Sequence, residues 1–202
     1  MGNSRFSLAV VTALLCAWAT PSLGEQDPHR QHAAHVHGAA ELLIAVEGET
    51  LEIEFRSPAL NLVGFEHRPA TAAQRQAVSD VVSQLQQGER LFRFPTAARC
   101  ALVTADIASP LTEYEQEHEH EHEHEHEHEH DDRAGHEPHA TGSHSDFTAL
   151  YRYRCQSPAQ LRQIEVALIA QFPAIETIAA QSVSPHGQRQ AELSAAQTVF
   201  EL

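Results

Sequence analysis

The chain predicts an α+β fold, an antiparallel sheet with helices on one face, and three observations carry that expectation. Leu51, Ile53 and Phe55 alternate with Glu52, Glu54 and Arg56, the period of a strand with one buried and one wet face. Val78, Val81, Val82 and Leu85 recur instead at helical spacing. The order of such segments gives two strand-strand-helix units followed by terminal strands, which places the helices on one side of a sheet rather than between parallel strands. With 202 residues there is room for one domain.

The first element is an export signal. Arg5 precedes an apolar run, Phe6 to Trp18, which has the length of a signal-peptide core and is short for a membrane span. Thr20-Pro21 ends the run, and Ser22 and Gly24 supply the small residues a signal peptidase reads. Residues 1–24 are therefore expected to be removed, leaving an exported domain over residues 25–202 with no membrane span. An uncleaved anchor and a lipid on Cys16 are the competing readings; Leu15 before Cys16 is too large for the second.

Residues Ala39–Glu47 and Thr50–Arg56 read as strands joined by Gly48-Glu49, a two-residue hairpin turn with glycine first. Ser57-Pro58-Ala59-Leu60 then has the form of a helix start, Ser as N-cap and Pro in the first turn. Thr71-Ala72-Ala73-Gln74 has capping-box form and opens the Val78–Leu85 helix, with Gly88 as its stop. The valine and leucine stripe is core and carries no chemistry.

The second half repeats the plan. Cys100–Ile107 and Phe147–Cys155 read as strands, and Ser157-Pro158-Ala159-Gln160 reads as the start of another helix, with Leu161, Ile164 and Leu168 on one side and Pro173 at its end. Strands are expected near Glu176–Val183 and Arg189–Leu193, and a short last one at Thr198–Glu201. Removal of the signal leaves two cysteines, Cys100 and Cys155, and an exported chain with an even pair of thiols suggests a disulfide. If the two strands pair around these cysteines, the bond lies at the far end of their hairpin from the connecting segment.

That segment, about residues 109–146, is the unusual part of the chain. Glu117–His130 is seven Glu-His repeats, and ten histidines stand at positions 118, 120, 122, 124, 126, 128, 130, 136, 139 and 144. Twelve acidic residues and one Arg between Glu113 and Glu137 supply most of the formal net charge of −15. Such a field repels nucleic acid and anionic membrane and attracts cations. Alternating Glu and His offers little to bury, so the insert is expected to be a disordered loop without a ligand. Neutral imidazole is a good ligand for zinc, nickel or copper(II). Four-ligand zinc gives the candidate ligands His118, His120, His122, His124, His126, His128, His130, His136, His139 and His144 a capacity on the order of two or three ions. A solvated spacer, an engineered tag and a pH sensor are the plainer readings, but a spacer needs no histidine and the tract is internal.

A second group of donors precedes and follows the first hairpin. His-Ala-Ala-His-Val-His-Gly places His32, His35 and His37 before the first strand, and Gly-Phe-Glu-His places Glu66 and His67 where the chain can return to it. His35, His37, Glu66 and His67 together offer enough N and O donors for zinc. His186, in Ser-Pro-His-Gly, reads as a turn residue. Enzymatic motifs are missing: His136-Glu137-Pro138-His139 is one residue short of a zinc-protease helix and carries a helix-breaking Pro. There is no Gly-rich phosphate loop or nucleophile elbow either.

The stretch HVHGAAELLIAVEGETLEIEFRSPALNLVGFEHRP (His35–Pro69), the His-rich acidic insert and the flanking strands with Cys100 and Cys155 together resemble the ZrgA-type family of bacterial periplasmic zinc-binding proteins. The resemblance implies an α+β body with a His-rich loop, zinc as the bound metal, and association with an ABC-type zinc importer. It carries His35, His37, Glu66, His67 and the insert histidines over as ligands. Strict Glu-His alternation departs from the family's looser His/Asp mixture, which bears on stoichiometry and affinity. The first expectation is thus a periplasmic protein, not an enzyme, that captures or buffers zinc and assists its import. A structural or partner-docking exported module with incidental metal binding is the alternative, with nickel handling as a variant of the first.

Overall fold

The computed structural model describes residues 36–112 and 145–202. The expected signal peptide, His32, His35 and the insert histidines lie outside the described residues. In chain order the elements are β1 (Ala39–Glu47), β2 (Thr50–Pro58), α1 (Leu60–Val63), α2 (Ala72–Leu85), α3 (Gly88–Leu91), β3 (Phe92–Arg93), β4 (Cys100–Ala108), β5 (Asp146–Cys155), β6 (Gln163–Val166), α4 (Leu168–Gln171), β7 (Thr177–Ser184), β8 (Gly187–Ser194) and β9 (Val199–Glu201). They form an α+β fold with a six-stranded sheet, β4-β5-β2-β1-β7-β8, and a three-stranded sheet, β3-β6-β9.

Alternation decides which face of the large sheet is buried. Leu42 and Ile44 of β1, Leu51, Ile53 and Phe55 of β2, Phe147, Tyr151 and Tyr153 of β5, and Ile178 of β7 all point to one side and are buried. Val78, Val81 and Leu85 of α2 join them in the core, as the helical spacing predicts. The small sheet supplies Phe92, Ile164 and Phe200. Phe92 meets Tyr151 edge to face at 5.1 Å. The capping box at the start of α2 is formed: Gln74 N–H donates to Thr71 Oγ1, and the Gln74 side chain accepts from Thr71 N–H.

Three sequence expectations are corrected. The segment from Ser157 to Pro173 is not one helix. It makes a 3-10 turn at Pro158–Gln160, then β6, then the single turn of α4. Ile164 and Val166 are buried on alternate positions of β6, so Ile164 and Leu168, which look helical with Leu161, also fit a two-residue period with Val166 between them. The strand pairing wins because β3 and β9 each need a partner for their backbone groups, and β6 lies between them. Second, the large sheet is mixed, not antiparallel throughout: β7 pairs parallel to β1. Parallel neighbours require a long crossover, and residues 156–176 supply it by carrying β6 and α4 between β5 and β7. Third, Ser57 does not cap a helix. β2 continues through Pro58, and α1 starts from Ala59 without a side-chain cap.

The other elements form where the sequence places them. Gly48, at φ 56°, makes the two-residue turn between Glu47 and Thr50. Cys100 lies directly opposite Cys155 in the β4–β5 ladder, and the two are joined with S–S 2.03 Å. His186 lies in the turn between β7 and β8, its N–H donating to Ser184 Oγ.

The two core phenols make a prediction about alkaline stability. Tyr151 Oη donates to Leu85 O at 2.8 Å, giving the last turn of α2 one of its missing partners. Burial pushes the Tyr151 hydroxyl far above its ordinary value of 10.0, reinforced by Tyr153. Tyr153 shifts in the same direction, first through burial and then through the charge of Glu89. A phenol that ionises more readily unfolded than folded contributes stability below its unfolded pKa, and that stability is lost as pH rises. The free energy of unfolding should therefore be level to about pH 10 and then fall by about 1.4 kcal/mol per pH unit for each phenol. Urea unfolding from about pH 8 to about pH 11 checks it, with Tyr153→Phe expected to halve the slope.

Candidate metal centre

Register places the candidate ligands at one end of the large sheet. Ala39 is paired with Thr177, Pro58 with Asp146, and Ala108 with Thr148. The start of β1, the end of β2, the end of β4 and the start of β5 thus lie along one edge. His37 precedes β1 there, α1 and Glu66 follow β2 there, and both roots of the insert rise there. The opposite edge holds the Gly48-Glu49 turn and the Cys100–Cys155 bond.

Both roots are anchored. Ser109 and Leu111 are buried on one side and Ser145 on the other. Thr112 Oγ1 donates to Ser109 O at 2.7 Å, and Ala59 N–H donates to Ser145 O at 2.7 Å. The second bond ties the end of the insert to the residue from which α1 starts.

The body donors are placed by two tight turns. Ala39 N–H donates to Val36 O across Gly38, which has φ 83°. A side chain at Gly38 would be strained there and would press on the Glu176 side chain, 3.3 Å from the position of a Cβ. Gly38 O accepts from both Glu176 N–H and Thr177 N–H. Downstream, α1 makes one turn and is stopped by Gly64 at φ 82°, whose N–H donates to Leu60 O. This left-handed stop turns the chain so that Glu66 returns toward β1.

The result is a histidine and a glutamate facing each other. His37 Nε2 lies 3.4 Å from Glu66 Oε1, with the histidine side chain 54% exposed and the glutamate 14% exposed. Two ligand atoms on tetrahedral zinc, at bonds of about 2.1 Å, are separated by about 3.4 Å. The pair therefore has the spacing of one edge of a zinc tetrahedron. An imidazole nitrogen and a carboxylate oxygen are two of the donor types that zinc takes together.

His67 is held differently. Its Nδ1 lies 2.9 Å from Arg68 O and donates to that carbonyl, which leaves Nε2 as the nitrogen a metal could use. The ring stacks on Phe65 with centroids 5.1 Å apart. Among the described residues no three His, Cys, Asp or Glu side chains lie close enough together to hold a metal. The structure thus brings His37 and Glu66 together, leaves His67 apart from them, and does not describe His35 or the insert ligands.

Two contributors to this edge escape a reading of the sequence alone. Asn61 lies within the stretch that carries the family resemblance and Glu176 outside it, but neither stands out there as part of a site, and only the pairing of β1 with β7 and the return of α1 bring them beside Gly38. The one available signal is weak: Asn is an unfavourable residue inside a helical turn unless its side chain has work elsewhere.

The open face of the sheet bears a trough of about 690 Å³, lined by Leu43, Leu150, Val183, Arg152 and Arg189 among others. None of the candidate ligands among the described residues lines it. Shape thus favours the trough and ligand chemistry the sheet edge, and for a small cation the donor atoms decide. Among the described residues no helix is long and apolar enough to cross a membrane.

No curated protein matches the chain significantly. The model of one protein family, described as ZrgA family zinc uptake protein, matches residues 34–202, from the residue before His35 through both sheets to the last residue. With the match spanning all of the described body and the insert, the chain belongs to the ZrgA family of zinc uptake proteins.

Proposed function

We propose that this protein works in the periplasm, where its insert captures zinc and the body beside His37 holds one ion more tightly before release to an ABC-type importer. The observation that carries the reading is the His37–Glu66 pair at zinc-ligand spacing, on the same sheet edge as both roots of the insert. The family is one of zinc uptake, not of enzymes, which supports transport as the context. His35 is a further proposed body ligand, and His67, which stands apart from the pair, would have to move to join it. The histidines from His118 to His144 form the capture tract, and the glutamates between them hold a negative potential that draws cations in.

Zinc is cargo in this reading. Copper(I) is disfavoured as cargo because the only Met is Met1, within the expected signal peptide, and Cys100 and Cys155 are tied in a disulfide. Zinc is preferred over nickel through the family. Handing an ion to a partner requires an exposed donor at the site, and the half-exposed His37 imidazole provides one.

The test uses the full-length chain with its ten insert histidines replaced by glutamine, so that only the body binds. This protein should retain one zinc ion in competition with a chromophoric chelator. His37→Ala or Glu66→Gln should then weaken binding on the order of 100-fold or more, since losing a ligand exceeds the 10–100-fold loss typical of its outer partners. Unchanged affinity in both variants would remove the body site from the proposal.

A further inference from the structure

We infer that Asn61 is the positioning residue of this centre: its side chain locks the His37 turn and the Glu66 turn into one register, fixing the separation at which zinc meets both donors. The inference rests on reading His37 and Glu66 as ligands.

Asn61 is buried, and its amide spends three of its four hydrogen-bonding positions on backbone and side chain brought together at the sheet edge. Oδ1 accepts from Gly38 N–H at 2.9 Å. Nδ2 donates to Ala39 O at 2.9 Å and to Ser57 Oγ at 3.1 Å. Two of these partners are 22 and 23 residues away in the chain, so the amide is not a local helix cap. It grips Gly38 N–H and Ala39 O, one and two residues after His37, from a position five residues before Glu66.

The remaining bonds show why this grip sets the ligands. Gly38 O is already held by Glu176 and Thr177 N–H groups from β7. The Asn61 amide holds the N–H of the same residue. With both polar groups of Gly38 fixed, the direction in which His37 leaves the sheet is fixed too. On the other side, Asn61 lies in the single turn of α1, which Gly64 N–H closes onto Leu60 O two residues before Glu66. One side chain therefore joins the two segments that carry the donors.

A purely structural role predicts something else. β1 is a central strand, bonded along its length to β2 and β7. The Asn61 bonds act just before and at the first residue of β1 and near the end of β2, where the ladder begins. Their loss should leave the sheet formed and show in the ligand geometry, because a preset donor pair binds more tightly than one that must be ordered by the ion.

The experiment uses the full-length chain with glutamine at the ten insert histidines, into which Asn61→Ala and Asn61→Asp are introduced. Asp keeps the size and the acceptor for Gly38 N–H but sets an oxygen against Ala39 O. Zinc affinity is read by chelator competition, and cobalt(II) is used as a spectroscopic probe of coordination geometry. Both variants should show the parent's circular dichroism, bind zinc about 10- to 100-fold more weakly, and change the cobalt(II) visible spectrum. The parent's affinity and spectrum in a folded Asn61→Ala protein, with only the unfolding midpoint lowered, would overturn the inference. Should Asn61→Ala fail to fold, the same readouts on Asn61→Asp decide. If His37→Ala and Glu66→Gln also leave affinity unchanged, the ligand reading has failed and takes the inference with it. If those two weaken binding while the Asn61 variants do not, the inference alone is wrong.

Discussion

Replacing the ten insert histidines with glutamine should lower the zinc capacity of the full-length protein by two or three ions, to about one, because four-ligand zinc divides ten imidazoles that way. Glutamine keeps the length, the polarity and every glutamate of the segment, so the negative field that attracts cations remains. What it removes is the imidazole nitrogen. If carboxylates and net charge did the binding, capacity would stay near that of the parent, and native mass spectrometry would count the same number of ions. The same variant separates capture from docking. A tract that serves uptake should slow growth under zinc starvation when its histidines are gone, and added zinc should restore it. A tract that docks a partner through its acidic residues should leave growth unchanged. Parental zinc capacity in the glutamine variant would refute the capture role, whatever its growth.

The distribution of the candidate ligands over the fold explains why the sequence reveals some of this candidate centre and hides the rest. Glu-His repetition is legible because no packing requirement produces it. The strands at Leu51–Phe55 and Phe147–Cys155 are legible because one face is buried and the other wet. The capping box at Thr71 is legible because it rests on local chemistry, and the disulfide partner of Cys100 because removal of the expected signal leaves only Cys155 to pair with it. The helix expected after Ser157 fails where two periods coincide: Ile164 belongs to a helical stripe with Leu161 and Leu168 and to a strand with Val166, and only the neighbours β3 and β9 decide. The parallel pairing of β7 with β1 is likewise set by a crossover, not by either strand's composition. Since that pairing also brings Glu176 to Gly38, the surroundings of His37 could not be read from spacing, although His37 and Glu66 themselves could be proposed.

The second large effect concerns the opposite end of the sheet. The Cys100→Ala/Cys155→Ala variant should be less stable by about 4 kcal/mol in the chain-entropy model for a loop of this size, a large share of the 5–15 kcal/mol usual for a domain. The loop closed by the bond has a sequence separation of 55, and the insert makes up much of it. Without the bond, an unfolded chain gains the freedom of that whole segment. Deleting Glu113–His144 shortens the loop to about 23 residues, and the same model then reduces the contribution of the disulfide by about 0.8 kcal/mol. A double-mutant cycle of disulfide removal and insert deletion, followed by urea unfolding, measures that coupling. Alanine replacement is preferred to a reductant because free thiolates at Cys100 and Cys155 would themselves bind zinc. A cost below about 1 kcal/mol would show that the β4–β5 ladder already holds the hairpin closed and that the bond adds little to it. In the folded protein zinc affinity at His37 should not change, because the cysteines are paired at the end of the sheet where β1 turns into β2, a full strand length from the ligands. A parallel loss of affinity and stability would instead place the disulfide in the machinery of the site.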